Sequence, residues 1–342
     1  MQKRRLANLL SIVFLVSACG GGGGSGSSTF SSEVLATDTG ASTSTEATDT
    51  VDTSQEDTEE LVSLASEGST EGAFCDYSDT TFNSQASLTY TSESLWSCTT
   101  NTRELIANGI PDHDVGSFPN SNNPSAISEQ SVSASFTLTP NETDTATATG
   151  GPRGVTGYVL NGVKIDANTA ATCDDSGSAC SVTGGTGAWH IEALGQSAFD
   201  FGEDDNNAHV QPGGSYHYHG IPEGFVEKRG GNSSTMTLIG WAADGFPIYA
   251  RYGYSIADDA SSPLKVITGS YQFVTSVSPS RPSVDIYPLG TFTQDYEYVA
   301  NSGDLDECNG RYGVTPEFPD GIYHYYATDT YPFLQRCVKG AL

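Results

Sequence analysis

The sequence predicts a mostly β protein: an antiparallel β-sandwich or barrel with irregular loops and a few short helices, following a disordered N-terminal tether. Three observations point there. Short alternating runs recur between turn signals, the chain holds 38 Gly, 15 Pro and 17 Tyr in 342 residues, and sustained helical periodicity is nearly absent. Period-2 alternation puts successive side chains on opposite faces of a strand, so such runs bury one face at a time.

The N-terminus reads as an address. Lys3, Arg4 and Arg5 precede the apolar run Leu9 to Val16 and then Val16-Ser17-Ala18-Cys19, which is the order of a signal peptide, expected over residues 1–18. The run falls short of the roughly 20 apolar residues that a spanning helix needs. A cysteine directly after Val-Ser-Ala resembles a bacterial lipobox, which implies lipidation of Cys19 and a membrane anchor. Gly20, rather than Asp, follows that cysteine, which by resemblance to enterobacterial lipoprotein sorting implies the outer membrane of a cell envelope, facing the periplasm or the cell surface. An A-x-A-like secretory cut with an incidental cysteine is the alternative.

Residues 19–72 should form the tether. From Gly20 to Gly72 there is no Lys or Arg, there are eleven acidic residues, and Ser, Thr, Ala and Gly dominate. Such a segment cannot bury enough apolar area to offset its ordering entropy. Residues 73–342 remain for the β-rich domain, enough for one large core. Setting aside the basic residues of the signal and the acids of the tether, this domain keeps a net charge of roughly -20, which argues against nucleic acid as a partner because duplex binding needs a basic stripe.

Within the domain, strands are expected at Val132 to Thr139, Gly157 to Lys164, Thr235 to Gly240 and Tyr271 to Thr275. Tight turns are expected at Asn161-Gly162 and Asp244-Gly245. Thr102 to Ala107 and Trp189 to Ala198 read as short helices. Six cysteines besides Cys19 make an even set, which outside the cytoplasm reads as disulfides. The sequence-local pairing, Cys75 with Cys98, Cys173 with Cys180 and Cys308 with Cys337, is preferred over the other connectivities, and the lack of any C-x-x-C pair argues against a thiolate metal site.

The chemistry concentrates around His209 and Tyr216-His217-Tyr218-His219. On a strand His217 and His219 share one face and the two tyrosines the other, so the imidazoles can chelate one metal ion. Gly214 to His219 is matched at four of six positions by Gly321-Ile322-Tyr323-His324-Tyr325-Tyr326, which suggests two equivalent strands whose histidine faces converge. The spacing His217-x-His219-x-x-x-Glu223, with His324 from the second copy, is similar to the metal motifs of cupin barrels. It departs from them in lacking the leading Gly and in having Thr328 where Asn belongs, so only a convergent three-histidine site is retained. The expected metal ligands are His217, His219 and His324, with His209 or Glu223 as a fourth, and imidazoles suit Cu or Zn.

Calcium is the weaker cofactor expectation. Asp304-x-Asp306 before Asn309-Gly310 looks like part of an EF-hand loop, but the Gly is one residue late. His113 reads as a loop residue at the surface and His190 as packing or surface. The bland alternative for the cluster is a structural histidine–tyrosine hydrogen-bond ladder. No nucleophile motif or cofactor fingerprint is present, so the sequence leans away from an enzyme, although Glu223, Asp306 or Glu307 could supply an acid or base. The many Tyr and Trp faces also suit a non-catalytic domain that binds a glycan or an envelope protein.

As a whole the chain resembles the YHYH-domain proteins, exported bacterial proteins named for the tetrapeptide at Tyr216 to His219. The resemblance runs from about Ala107 to Gly340 through the segments Asn108 to Gly116, Leu160 to Lys164, Asn207 to Pro212, Ala243 to Tyr249 and Asp304 to Gly310. It implies a domain and no particular reaction.

Overall fold

The alternation in Thr91–Cys98 sets the first layer. Ser92, Ser94 and Trp96 are buried while Glu93, Leu95 and Ser97 face outward, as a half-buried strand requires. A computed structural model describes residues 69–342, apart from 71, 86–87 and 150–154. The expected signal peptide, Cys19 and nearly all of the expected tether lie outside the described residues. The described residues lie in one compact unit, and no helix among them is long and apolar enough to cross a membrane.

Strands β1 (Ser78–Phe82), β2 (Thr91–Cys98), β3 (Thr102–Ala107) and β4 (Val132–Thr137) form an antiparallel meander. After β5 (Glu142–Ala148) come β6 (Gly157–Val159) and β7 (Lys164–Ile165), then a small sheet of β8 (Thr172–Cys173), β9 (Cys180–Ser181) and β10 (Trp189–His190). The hairpin β11 (Ala208–Val210) and β12 (Tyr216–Tyr218) precedes helix α1 (Glu223–Lys228) and the hairpin β13 (Thr237–Ala242) and β14 (Pro247–Ala250). Two ribbons follow, β15 (Tyr252–Tyr254) with β16 (Leu264–Val266) and β17 (Tyr271–Phe273) with β18 (Tyr296–Tyr298). The chain ends with β19 (Gly310–Gly313), β20 (Ile322–Ala327) and β21 (Cys337–Gly340), the last pairing with β5.

The central sheet has eight strands in the order β11-β12-β7-β6-β13-β14-β20-β19. All neighbours are antiparallel except β12 with β7 and β14 with β20. One apolar core holds residues of the meander, such as Trp96, Leu105 and Phe136, together with Val159, Leu160 and Trp241 of the central sheet. The Trp96 indole donates to the Leu160 carbonyl at 2.8 Å. Gly162, at φ +79°, brings the β6–β7 turn so close to the meander that a Cβ there would sit 2.2 Å from that of Ala107. Two conformational demands thus fall on one residue, and only glycine meets both.

The mostly β reading holds, with α1 and a 3-10 turn at Thr293–Asp295 as the helices among the described residues. The disulfides are those expected: Cys75–Cys98, Cys173–Cys180 and Cys308–Cys337. Both helix expectations are corrected. Thr102–Ala107 is β3, whose Arg103, Leu105 and Ala107 are buried in alternation. Its Arg, Glu, Leu and Ala are good helix formers, but pairing with β2 and β4 overrides that weak preference. Arg103 shows how far: its guanidinium carbon lies 3.4 Å from the Trp241 ring centroid, it donates to the Thr70 and Ala73 carbonyls, and burial pushes its pKa down to about 9. In the other stretch only Trp189–His190 is regular, because β10 pairs with β8 and Gly195 then turns the chain at φ +74°.

A buried three-histidine cluster

The β11–β12 hairpin assembles the site. Its register sets His209 directly across from His217, and His219 follows two residues on, along the same face. Ring centroids lie 4.6 Å apart for His209–His217, 4.7 Å for His217–His219 and 4.8 Å for His209–His219. Tyr216 and Tyr218 face the other side, packed edge-on at 5.6 Å, as the strand alternation requires.

Hydrogen bonds fix the tautomers. A carbonyl only accepts, so Nδ1 of His209 donates to the Phe201 carbonyl at 3.1 Å, and Nδ1 of His217 donates to the Ser215 carbonyl at 3.3 Å. Each ring therefore keeps its Nε2 lone pair for the cluster. This is the outer-shell pattern that orients metal-ligating histidines. Nε2 of His219 lies 3.1 Å from Nε2 of His209, whereas Nδ1 of His219 is buried without a partner. With nitrogens about 2.05 Å from an ion, a tetrahedral edge is about 3.3 Å, so the closest pair is already at ligating separation. One nitrogen from each ring falls within 4.8 Å of the others. Among the described residues no other group of three or more His, Cys, Asp or Glu side chains converges in this way.

Burial sets the charge. His217 and His219 are almost wholly enclosed and His209 is half-buried. Loss of solvation is the largest cause holding all three pKa values down: His209 near 4, and His217 and His219 well below their ordinary value. The imidazoles are therefore neutral at pH 7, which is the ligating form. Three nitrogens leave a fourth tetrahedral position for water or another ligand.

Beside the cluster runs a polar row that sequence reasoning did not single out. Strand pairing sets Lys164 beside His217, and Lys164 donates to Gln211 at 2.6 Å and lies 3.7 Å from Asp166. Gln211 donates to Asp166 at 2.8 Å, and burial raises this carboxyl to about 6. Lys164 and Gln211 fall within motifs already quoted, Leu160 to Lys164 and Asn207 to Pro212, which was the available signal.

Two expected ligands belong elsewhere. His324 lies on β20, five strand spacings from β12 or about 24 Å along the sheet. Its Nδ1 donates to the Ile322 carbonyl at 2.8 Å and its Nε2 accepts from Tyr326 at 3.1 Å. The two repeat strands are equivalent, but their histidine faces do not converge. Glu223 opens α1 and is taken up by Arg251 at 2.5 Å. The calcium expectation also fails to find convergent oxygens: Asp304 is engaged by Lys265 and Thr268, and Asp306 by Tyr323 and the Cys308 and Gly310 amides. Glu307 pairs with Lys339. His113 is buried rather than exposed, accepting from the Tyr218 hydroxyl at 2.6 Å, while His190 is exposed on β10. A histidine–tyrosine ladder thus exists at His113–Tyr218 and His324–Tyr326, outside the cluster.

Fold and site define an all-β domain enclosing a neutral three-histidine cluster. Residues 133–340, more than half of the chain, match the YHYH protein family, and the chain belongs to that family. Neither the curated proteins nor the solved structures contain a match to it.

Proposed function

We propose that this protein binds one divalent transition-metal ion, zinc or copper, through His209, His217 and His219, and that it does so outside the cytoplasm while anchored through a lipidated Cys19. The observation that carries the metal reading is the set of three neutral imidazoles, two enclosed and one half-buried, with two of them held Nε2 inward by carbonyl acceptors. The basic and apolar N-terminal order before Cys19 supports the anchor, and three disulfides fit an oxidising compartment.

The protein purified from an envelope fraction is expected to carry one equivalent of zinc or copper by elemental analysis. Removing the metal and restoring zinc at about 1,000 times its dissociation constant should add about 4 kcal/mol. At about 2–4 °C per kcal/mol, that raises the melting temperature by about 8–16 °C. A metal-free protein whose melting temperature ignores both ions defeats the reading.

Burial gives this site a particular pH dependence. Protons compete with metal only below the native pKa values, which lie near 4 for His209 and well below 6.5 for the other two. Zinc affinity should therefore change far less between pH 7.5 and 5.5 than that of three exposed histidines of pKa about 6.5, which would lose about 10³-fold. Isothermal titration at the two pH values separates these outcomes.

The anchor has its own test. Mass spectrometry of the membrane-extracted protein should find Cys19 as the first residue, carrying a diacylglyceryl group. Any other N-terminus removes the anchor.

A further inference from the structure

The central sheet reads the same from either edge. In the order β11-β12-β7-β6-β13-β14-β20-β19, the first four strands and the last four are copies of one unit. One constant offset carries Gly157, Tyr158 and Val159 of β6 onto Gly240, Trp241 and Ala242 of β13. These strands pair Gly157↔Ala242, Tyr158↔Trp241 and Val159↔Gly240, so the pairing maps onto itself, as at a two-fold dimer interface. Even the close approaches repeat: a Cβ on Gly157 would meet the Trp241 carbonyl at 2.5 Å, and one on Gly240 would meet the Tyr158 carbonyl at 2.1 Å.

The same offset takes the turn Asn161-Gly162 to Asp244-Gly245 and Ile165 of β7 to Ile248 of β14, and the parallel pair Ile165↔Tyr218 has its counterpart in Ile248↔Tyr325, where the second strand lies a longer step along the chain. The hairpins that follow also correspond. Tyr216 donates to Asp204 at 2.7 Å and Tyr323 to Asp306 at 2.8 Å, and the left-handed Asn207 and Asn309 precede β11 and β19. Across each hairpin His209↔His217 becomes Arg311↔His324, and His219 becomes Tyr326.

The equivalent positions hold equivalent geometry. His324, like His217, donates through Nδ1 to the carbonyl two residues back and turns Nε2 inward. Tyr326 donates to that Nε2 at 3.1 Å and accepts from Arg311 Nη2 at 3.1 Å. The Arg311 guanidinium also donates to the Tyr254 carbonyl at 2.8 Å, its Nε is buried without a partner, and it forms no ion pair among the described residues. A fixed positive charge thus sits among neutral donor atoms, with no carboxylate at ion-pair distance among the described residues, as a bound metal ion would.

We infer that the sheet arose by internal duplication and that Arg311, His324 and Tyr326 form a second metal site of the same kind, closed by a guanidinium that stands in for the divalent ion. The inference rests on the metal reading of the first site. Its test is the full chain titrated with zinc. Arg311→His with Tyr326→His should bind one equivalent more than the wild type. A folded double variant with no added equivalent overturns the inference, whatever the wild type binds. A wild type without zinc overturns the reading of the first site alone, because the increment is still measured. If that variant does not fold, the reciprocal exchange decides. His209→Arg with His219→Tyr should stay folded, lose one equivalent and melt within about 3 °C of the metal-free wild type. Unfolding, or a lower melting temperature than His209→Ala with His219→Ala, overturns the inference.

Discussion

Reduction of the three disulfides is expected to unfold the β domain at room temperature. Their sequence separations are 23, 7 and 29 residues. Loop-closure entropy lost from the unfolded chain gives about 3.4, 2.4 and 3.6 kcal/mol respectively, about 9 kcal/mol together. Whole domains are stable by about 5–15 kcal/mol, so this sum is of the size of the entire margin. Placement reinforces the number. Cys98 ends β2, and Cys308–Cys337 joins the segment before β19 to β21, the strand that closes on β5. Tryptophan fluorescence and far-ultraviolet circular dichroism, followed while a reductant is titrated, should show a cooperative loss of structure. Removing only Cys173–Cys180 should have the smallest effect of the three. A fully reduced chain melting within about 5 °C of the oxidised one would mean that the packed sheets suffice alone.

How much of this was legible beforehand depended on whether a feature is set locally. The split between His217/His219 and Tyr216/Tyr218 follows from strand alternation alone, and it is the geometry found. The local disulfide pairing could likewise be read from separation along the chain. His324 shows where this fails. A sequence repeat says that two strands have like surroundings and says nothing of whether they meet. Here the likeness is a pseudo-two-fold that puts them at opposite ends of one sheet. Thr102–Ala107 fails differently, since its residues prefer helix and its strand pairing depends on neighbours remote in sequence. Asp166 had no pattern to betray it: its importance is its burial beside a lysine and a glutamine brought in by the sheet.

Changing His217 and His219 together to alanine should abolish zinc binding, and so cost far more stability in the presence of zinc than in its absence. Loss of an outer-shell partner alone costs 10–100-fold in affinity. Two ligands lost should therefore exceed about 10⁴-fold, more than about 5 kcal/mol. The metal-free state is a balance of opposed effects. Truncating two enclosed rings leaves a cavity, which destabilises. It also removes a buried nitrogen with no partner, whose desolvation costs about 1–3 kcal/mol. The gap between the melting temperatures of wild type and variant should then be wider with zinc than without it. Rings that served packing alone would give the same gap in both conditions, and thermal melts with chelator and with excess zinc read that difference directly. A gap that widens only with zinc also excludes a general loss of folding as the cause, because that would appear in chelator as well.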